Sequence, residues 1–195
     1  MEHKAKDFTY LLGKLKGLSN KQLEAHFGLY KGYVAKLNEI EEKLAKQDKG
    51  ATNYSFGEFS ELKRREAVAF NGTYLHELYF DNLLANGEPS AELKTAVEEA
   101  FGSWDACIQD LKSTAVSTPG WVVLTYNKKD KKVHTYIMYE HHIGLPAHQE
   151  IILALDCWEH AFMIDYGTAK ADYLTAFLEN VNWEIVNKRF EEAKE

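Results

Sequence analysis

Proline is scarce in this chain: three among 195 residues, so long helices meet few obligatory breaks. Cysteine is scarcer still, Cys107 and Cys157 being the only two. They make no disulfide framework, and a reducing, cytoplasmic setting is the simplest expectation. No apolar run is long enough to span a bilayer. The opening residues, "MEHKAKDFTY", lack the apolar core and cleavage site of a signal peptide. Basic residues are outnumbered, 23 against 30 acidic, for a net charge of −7. That balance excludes a general nucleic-acid surface. Internal repeats and low-complexity tracts are also missing.

What is present suits a folded, rather aromatic protein. Hydrophobic residues make up 45% and charged residues 27%, which supports one large core or two small ones. From Ser19 to about Lys46, Leu23, His26, Phe27, Tyr30, Tyr33, Val34, Leu37, Ile40 and Leu44 recur at helical spacing. Ser19 with Gln22 reads as a capping box at its start. "KQDKGATN" reads as a turn. A second helical stretch runs from about Phe56 to Leu84, interrupted or kinked near "FNG", Phe70 to Gly72. Two long helices joined by a short turn make an antiparallel hairpin, which "NGEPS" ends.

The second half changes character. "AELKTAVEEAFGSWDACIQDLKSTAVS" reads as two helices broken at Gly102. "WVVLTYN", the charged turn "KKDKK" and "VHTYIMY" then give a β-hairpin signal. "EIILALD" is a short apolar run suited to a third, buried strand, and "WEHAFMIDYG" and "ADYLTAFLENV" return to helix. The expected fold is α+β: an N-terminal antiparallel helical hairpin domain, residues 1–88, then an α/β domain with a three-stranded antiparallel sheet, residues 89–195.

Three of the eight histidines, His26, His76 and His160, fall within helical stretches on or beside apolar faces. A single histidine on such a face is commonly a hydrogen-bonded core residue. Three of them with Asp156 at the end of an apolar strand are different, because a buried carboxylate is costly without a cation or donors around it. Imidazoles and one carboxylate suit a borderline transition metal. By pattern alone, hydrogen-bonded core and metal site stand level. Tyr33 shares a helix face with His26, two turns away, and reads either as core or as a cavity residue.

"DCWEHAF" followed by "DYGTAKADYLTAFLENVNW" resembles the C-terminal signature of the iron/manganese superoxide dismutases. "HELYFDNL" and "LSNKQLEAHFGLYKGYVAKLN" resemble that family's second- and first-helix motifs. "FGSWDACIQDLKSTAVSTPGWVVL" resembles the stretch leading into its sheet. The resemblance covers nearly the whole chain in order. It implies the same fold and a superoxide dismutase that cycles one Fe or Mn per chain between +3 and +2, with superoxide as substrate. His26, His76, Asp156 and His160 would be the metal ligands. Phe80, Trp121 and Trp158 would wall the cavity, Tyr33 would orient anions and help deliver protons, and Lys170 would steer the anion. Glu159 would reach across a homodimer to the partner's metal-bound imidazole; a higher oligomer is also compatible.

The departures from the family pattern are specific. Gly72 stands where many members carry the Gln that hydrogen-bonds the metal-bound solvent. The role is therefore expected of His142 in "YEHHIGLP", with His141 as competitor. Leu29, Tyr30 and Met163 replace residues of the usual proton relay between subunits, and the first helix is one residue shorter between His26 and Tyr33. Ala154 resembles manganese members, while the sheet histidine points to iron, toward which the reading leans. Two other readings are a catalytically altered protein of this fold with a structural or interaction role, and a non-haem iron oxygenase.

Overall fold

The structure is a computed structural model describing residues 2–50 and 52–195. Within the turn expected at "KQDKGATN", Ala51 lies outside the described residues. The hairpin is formed by α1, Asn20–Lys46, and α2, Glu58–Asp81. Ser19 caps α1 by accepting from Gln22 N. The reciprocal half of the expected capping box is filled from elsewhere: Asp165 accepts from Ser19 N at 2.7 Å and from its hydroxyl at 2.6 Å. The Gln22 side chain is thereby released for another task near the site.

Helix α2 runs unbroken through Phe70–Gly72, against the expected interruption. A mid-helix glycine costs about 1 kcal/mol relative to alanine. Packing of α1 against the bare backbone at Gly72 overrides that cost. The chain before α1 crosses both helices. Lys6 N donates to Tyr30 Oη at 2.9 Å, Tyr30 Oη donates to Glu77 Oε1 at 2.8 Å, and the Lys6 amine pairs with Glu77 at 3.0 Å. The buried Glu77 carboxylate thus meets a cation and a hydroxyl, as a buried charge requires.

Helices α3, Ala91–Phe101, and α4, Trp104–Val116, are separated as expected at Gly102, whose φ of 88° is left-handed. The sheet comprises β1, Trp121–Asn127, β2, Val133–Met138, and β3, Gln149–Asp156. Its order is β2-β1-β3 and both pairings are antiparallel. The central strand β1 is buried on both faces, which accounts for its continuous apolar run. Register sets Trp121 opposite Asp156, so an indole stands beside the carboxylate at the sheet's end.

A 3-10 turn, Glu159–Ala161, follows β3, then α5, Met163–Tyr166, and α6, Lys170–Glu179. A last helix, α7, Trp183–Lys194, was not anticipated. Its signals were Asn182, whose side chain accepts from Ile185 N, and an apolar stripe of Val186, Phe190 and Ala193. One buried cluster runs from Phe8 through the helices and sheet to Ala193, with a satellite of Leu37, Ile40, Leu44 and Ala69 along the hairpin. Among the described residues, no helix is long and apolar enough to cross a membrane.

Candidate metal centre

Four elements aim side chains at one point. His26 comes from α1, His76 from α2, Asp156 from the end of β3 and His160 from the 3-10 turn. One ligand atom from each lies within 4.8 Å of all the others. Asp156 Oδ2 stands 3.1 Å from the Nε2 atoms of His26 and His160 and 3.5 Å from that of His76. The carboxylate is fixed from behind, since Trp158 N donates to its Oδ1 at 2.9 Å and Tyr173 Oη donates to the Asp156 carbonyl at 2.7 Å.

The protonation of His76 follows from its partners. Its Nδ1 meets the Gly72 carbonyl at 2.5 Å. A carbonyl only accepts, so Nδ1 carries the proton and Nε2 carries a lone pair. That Nε2 is buried and has no hydrogen-bond partner among the described residues. An orphaned lone pair inside a ring of two further imidazoles and a carboxylate fits a metal ion. The charge states agree. Burial holds His76 neutral, its pKa lowered to about 3. Burial likewise lowers that of His26, against a smaller opposing pull from Asp156. Burial alone would raise Asp156; its contacts with the imidazoles of His160 and His26 outweigh that and hold the carboxyl well below the usual range. A neutral His26, a neutral His76 and an ionised Asp156 are forms a metal binds without displacing protons.

A second chain of hydrogen bonds leads out of the pocket. Trp121 Nε1 donates to His141 Nδ1 at 2.9 Å, and His141 Nε2 lies 2.6 Å from Tyr33 Oη. Burial lowers the pKa of His141 to about 4, so the ring is neutral near pH 7 and has one proton. Since Nδ1 accepts from the indole, that proton is on Nε2, which donates to Tyr33 Oη. The Tyr33 hydroxyl proton is left free to donate elsewhere. Of the two histidines weighed for the solvent-partner role, His141 is 4% exposed and bonded to Trp121 and Tyr33, while His142 is exposed. The physical reason is the turn after β2, where Glu140 bridges Ile143 and Asn71 Nδ2 holds the His141 carbonyl at 2.7 Å. Outside a strand, alternation no longer tells which of two neighbours points inward.

Gly72 has a structural use that the sequence did not reveal. A Cβ there would stand 2.5 Å from Tyr33 Cδ1, so the missing side chain is the space that the tyrosine ring fills. Phe80 is fully buried with its ring 4.8 Å from that of His26. Trp121 lies 5.0 Å from the His76 ring, and Trp158 stacks along His160 at 6.4 Å. Glu159 is exposed beside His160, whose side chain keeps 29% of its surface accessible. Leu29 and Met163 are exposed as well.

Lys170, expected to steer the anion, has contacts of its own. Its amine donates to the Thr118 carbonyl and lies 6.0 Å from the Phe162 ring. The cations that share a cavity with Tyr33 are Lys36, Lys43 and Arg65, on a groove of about 520 Å³ between α1 and α2. Lys36 stands one turn after Tyr33 on the same helix, a spacing that marks it in the sequence. Gln22 was read only as a cap, yet its amide donates to the His160 carbonyl at 2.5 Å and accepts from Ile164 N at 3.0 Å. It ties α1 to the turn that carries His160.

Comparison with known proteins agrees with this geometry. Residues 89–189 match the family described as iron/manganese superoxide dismutases, C-terminal domain. A superoxide dismutase of Aquifex aeolicus named as the iron type is 40% identical over 185 residues, covering 92% of this chain and 87% of the relative. One from Cupriavidus metallidurans, also named as the iron type, is 39% identical and covers 91% and 90%. One from Haloarcula marismortui named as the manganese type is 34% identical and covers 84% and 80%.

Substitution at Gly72 tests the role of the empty space. Gly72→Ala is expected to push the Tyr33 ring aside and break its bond to His141. Overpacking of this kind costs about 1–3 kcal/mol, offset by about 1 kcal/mol of helix propensity. Denaturation curves and the variant's structure would report both effects. An unmoved ring with a net gain in stability would reject the account.

Proposed function

This chain belongs to the iron/manganese superoxide dismutase family, and on that premise we propose which residues hold its metal and which govern protons. It is a superoxide dismutase that uses a mononuclear Fe or Mn held by three histidines and one aspartate. When bound, the metal supplies a one-electron change between +3 and +2, by which one superoxide is oxidised to dioxygen and another, taking two protons, is reduced to hydrogen peroxide.

We assign the four ligand positions to His26, His76, Asp156 and His160. The observation that carries this assignment is the convergence of their donor atoms within 4.8 Å around a buried, unpartnered His76 Nε2. The proposed halves, 1–88 and 89–195, then contribute two ligands each. Phe80, Trp121 and Trp158 exclude water and bulky solutes from the pocket, leaving room for a small anion. Tyr33 is assigned the proton-donating position. Its hydroxyl accepts from His141 and keeps its own proton for the anion, and Trp121 sets the His141 tautomer that makes this so.

Iron is the proposed metal. The quoted relatives named as the iron type, at 39–40% identity, are more similar to this chain than the manganese one at 34%. A homodimer is proposed from the adjacent exposed Glu159 and part-exposed His160. Under two-fold symmetry each carboxylate could take the imidazole of the other copy. The buried free thiols Cys107 and Cys157 suit a reducing, cytoplasmic setting. Retention of all four ligand residues speaks against a purely structural descendant of the fold.

Purified protein is expected to hold close to one iron per chain by elemental analysis and to consume superoxide. His76→Ala and Asp156→Ala should each lose most of the metal, and full retention in both would sink the ligand assignment. His141→Ala should keep its metal but lose on the order of a hundredfold in turnover, the low end of a general acid–base contribution. His142→Ala should stay within twofold of wild type, and the reverse order of damage would overturn the placement of His141. Glu159→Ala should sediment increasingly as monomer and lose metal more readily. An unchanged dimer with unchanged metal content would leave Glu159 an ordinary surface residue.

A further inference from the structure

His76 and Asp156 come from different elements, α2 and β3, and something must set their separation before any ion arrives. Strand β3 lies at an edge of the sheet, and an edge strand leaves outward N–H and C=O groups needing partners. Ala154, two residues before Asp156, pairs with Val123 on its inner side. On the outer side both its backbone groups are taken by one side chain. Ala154 N donates to Asn82 Oδ1 at 3.1 Å, and Asn82 Nδ2 donates to the Ala154 carbonyl at 3.3 Å.

Asn82 stands just past the end of α2 and is fully buried. Its Nδ2 also donates to the Tyr79 carbonyl at 2.9 Å, which fixes the amide to the last turn of the helix. Arg189 of α7 holds it from the far side. Both terminal nitrogens donate to the Leu78 carbonyl at 3.2 Å, and one donates to Asn82 Oδ1, also at 3.2 Å. The Leu78 carbonyl lies in the last turn of α2, where carbonyls carry partial negative charge. The guanidinium is only 13% exposed, with Asp81 at 3.8 Å as its counter-charge. The planar fork brings both terminal nitrogens onto the Leu78 carbonyl while one of them also reaches Asn82, a fixed geometry that a lysine's single ammonium does not reproduce.

We propose that Asn82 and Arg189 are positioning residues for the metal centre, clamping the helix end below His76 onto the strand end that carries Asp156. The inference rests on the reading of His76 and Asp156 as ligands and adds the device that sets their separation. Neither residue is among the four ligand positions. Weakening the clamp lets α2 shift against β3 and changes the ligand geometry seen by the ion.

The test uses iron-loaded, full-length protein with Arg189→Gln, Arg189→Lys and Asn82→Asp. Electron paramagnetic resonance of the ferric form reports the symmetry of the ligand field, and iron loss to excess chelator reports how firmly the ion is held. Arg189→Gln should show an altered ferric spectrum and lose iron at least tenfold faster, with Arg189→Lys closer to Gln than to wild type. A merely structural cap would lower the melting temperature while leaving the spectrum as in wild type, and an unchanged spectrum in Arg189→Gln overturns the proposal. Should Asn82→Asp fail to fold, the two Arg189 variants decide. Wild type and His76→Ala run in parallel separate the two failures. If His76→Ala keeps its iron, the ligand reading falls and this inference with it. If His76→Ala loses iron while the Arg189 variants match wild type, only the clamp is refuted.

Discussion

The rest of the molecule depends on one buried charge, the Asp156 carboxylate. It is fully buried, and an ion out of water costs several kcal/mol unless it is compensated. Compensation comes from three directions at once. The sheet supplies the Trp158 backbone N–H, and the two hairpin helices and the turn after β3 supply imidazoles. The imidazoles of His26 and His76, kept neutral by burial, do not cancel a full negative charge; a di- or trivalent cation among them would. The same geometry that makes the carboxylate expensive in an isolated chain would make it a strong ligand under the proposed assignment. A hairpin packed on an edge strand is what allows ligands so distant in sequence to face that one oxygen.

The second feature with functional weight is directional. Trp121 has one N–H and no acceptor in its ring, so its bond to His141 runs in one sense only. That sense fixes the proton on the other imidazole nitrogen, and this in turn leaves the Tyr33 proton uncommitted. Charge does not enter, because His141 is neutral at ordinary pH. On the proposed assignment Tyr33 would donate its proton from a chain of neutral groups, beside a groove lined by Lys36 and Arg65. The cations of that groove are paired within it, Lys36 and Lys43 with Glu39 and Arg65 with Glu61, so their positive charge is offset where it arises.

The four converging residues were legible because each sits in a strongly patterned stretch: two long helices, one apolar strand and a turn of characteristic composition. Register and periodicity carried the information. The errors fall where neither operates. His141 and His142 follow the end of β2 at Met138, in a turn where adjacent residues differ in direction for reasons set by Asn71, far away in sequence. The expected break at Gly72 was a propensity argument. It lost to packing, since the tyrosine that needs the space is on another helix. Lys170 rests on resemblance alone, and its amine donates to a backbone carbonyl. The final helix α7 did carry local signals, an asparagine cap and an apolar stripe.

Polar ties between the halves bear on what the metal contributes to stability. The Gln22 amide joins α1 to the backbone around His160, and Asn82 joins α2 to β3. Both pairs of elements carry ligands, and both ties are made by uncharged amides that need no ion. A continuous apolar core passes beneath them from Phe8 to Ala193. The pocket is therefore built by folding, unlike small metal domains whose ligands assemble only around the ion. Metal binding then adds stability by mass action, about 4 kcal/mol at a free ion concentration a thousandfold above the dissociation constant, to a chain already folded.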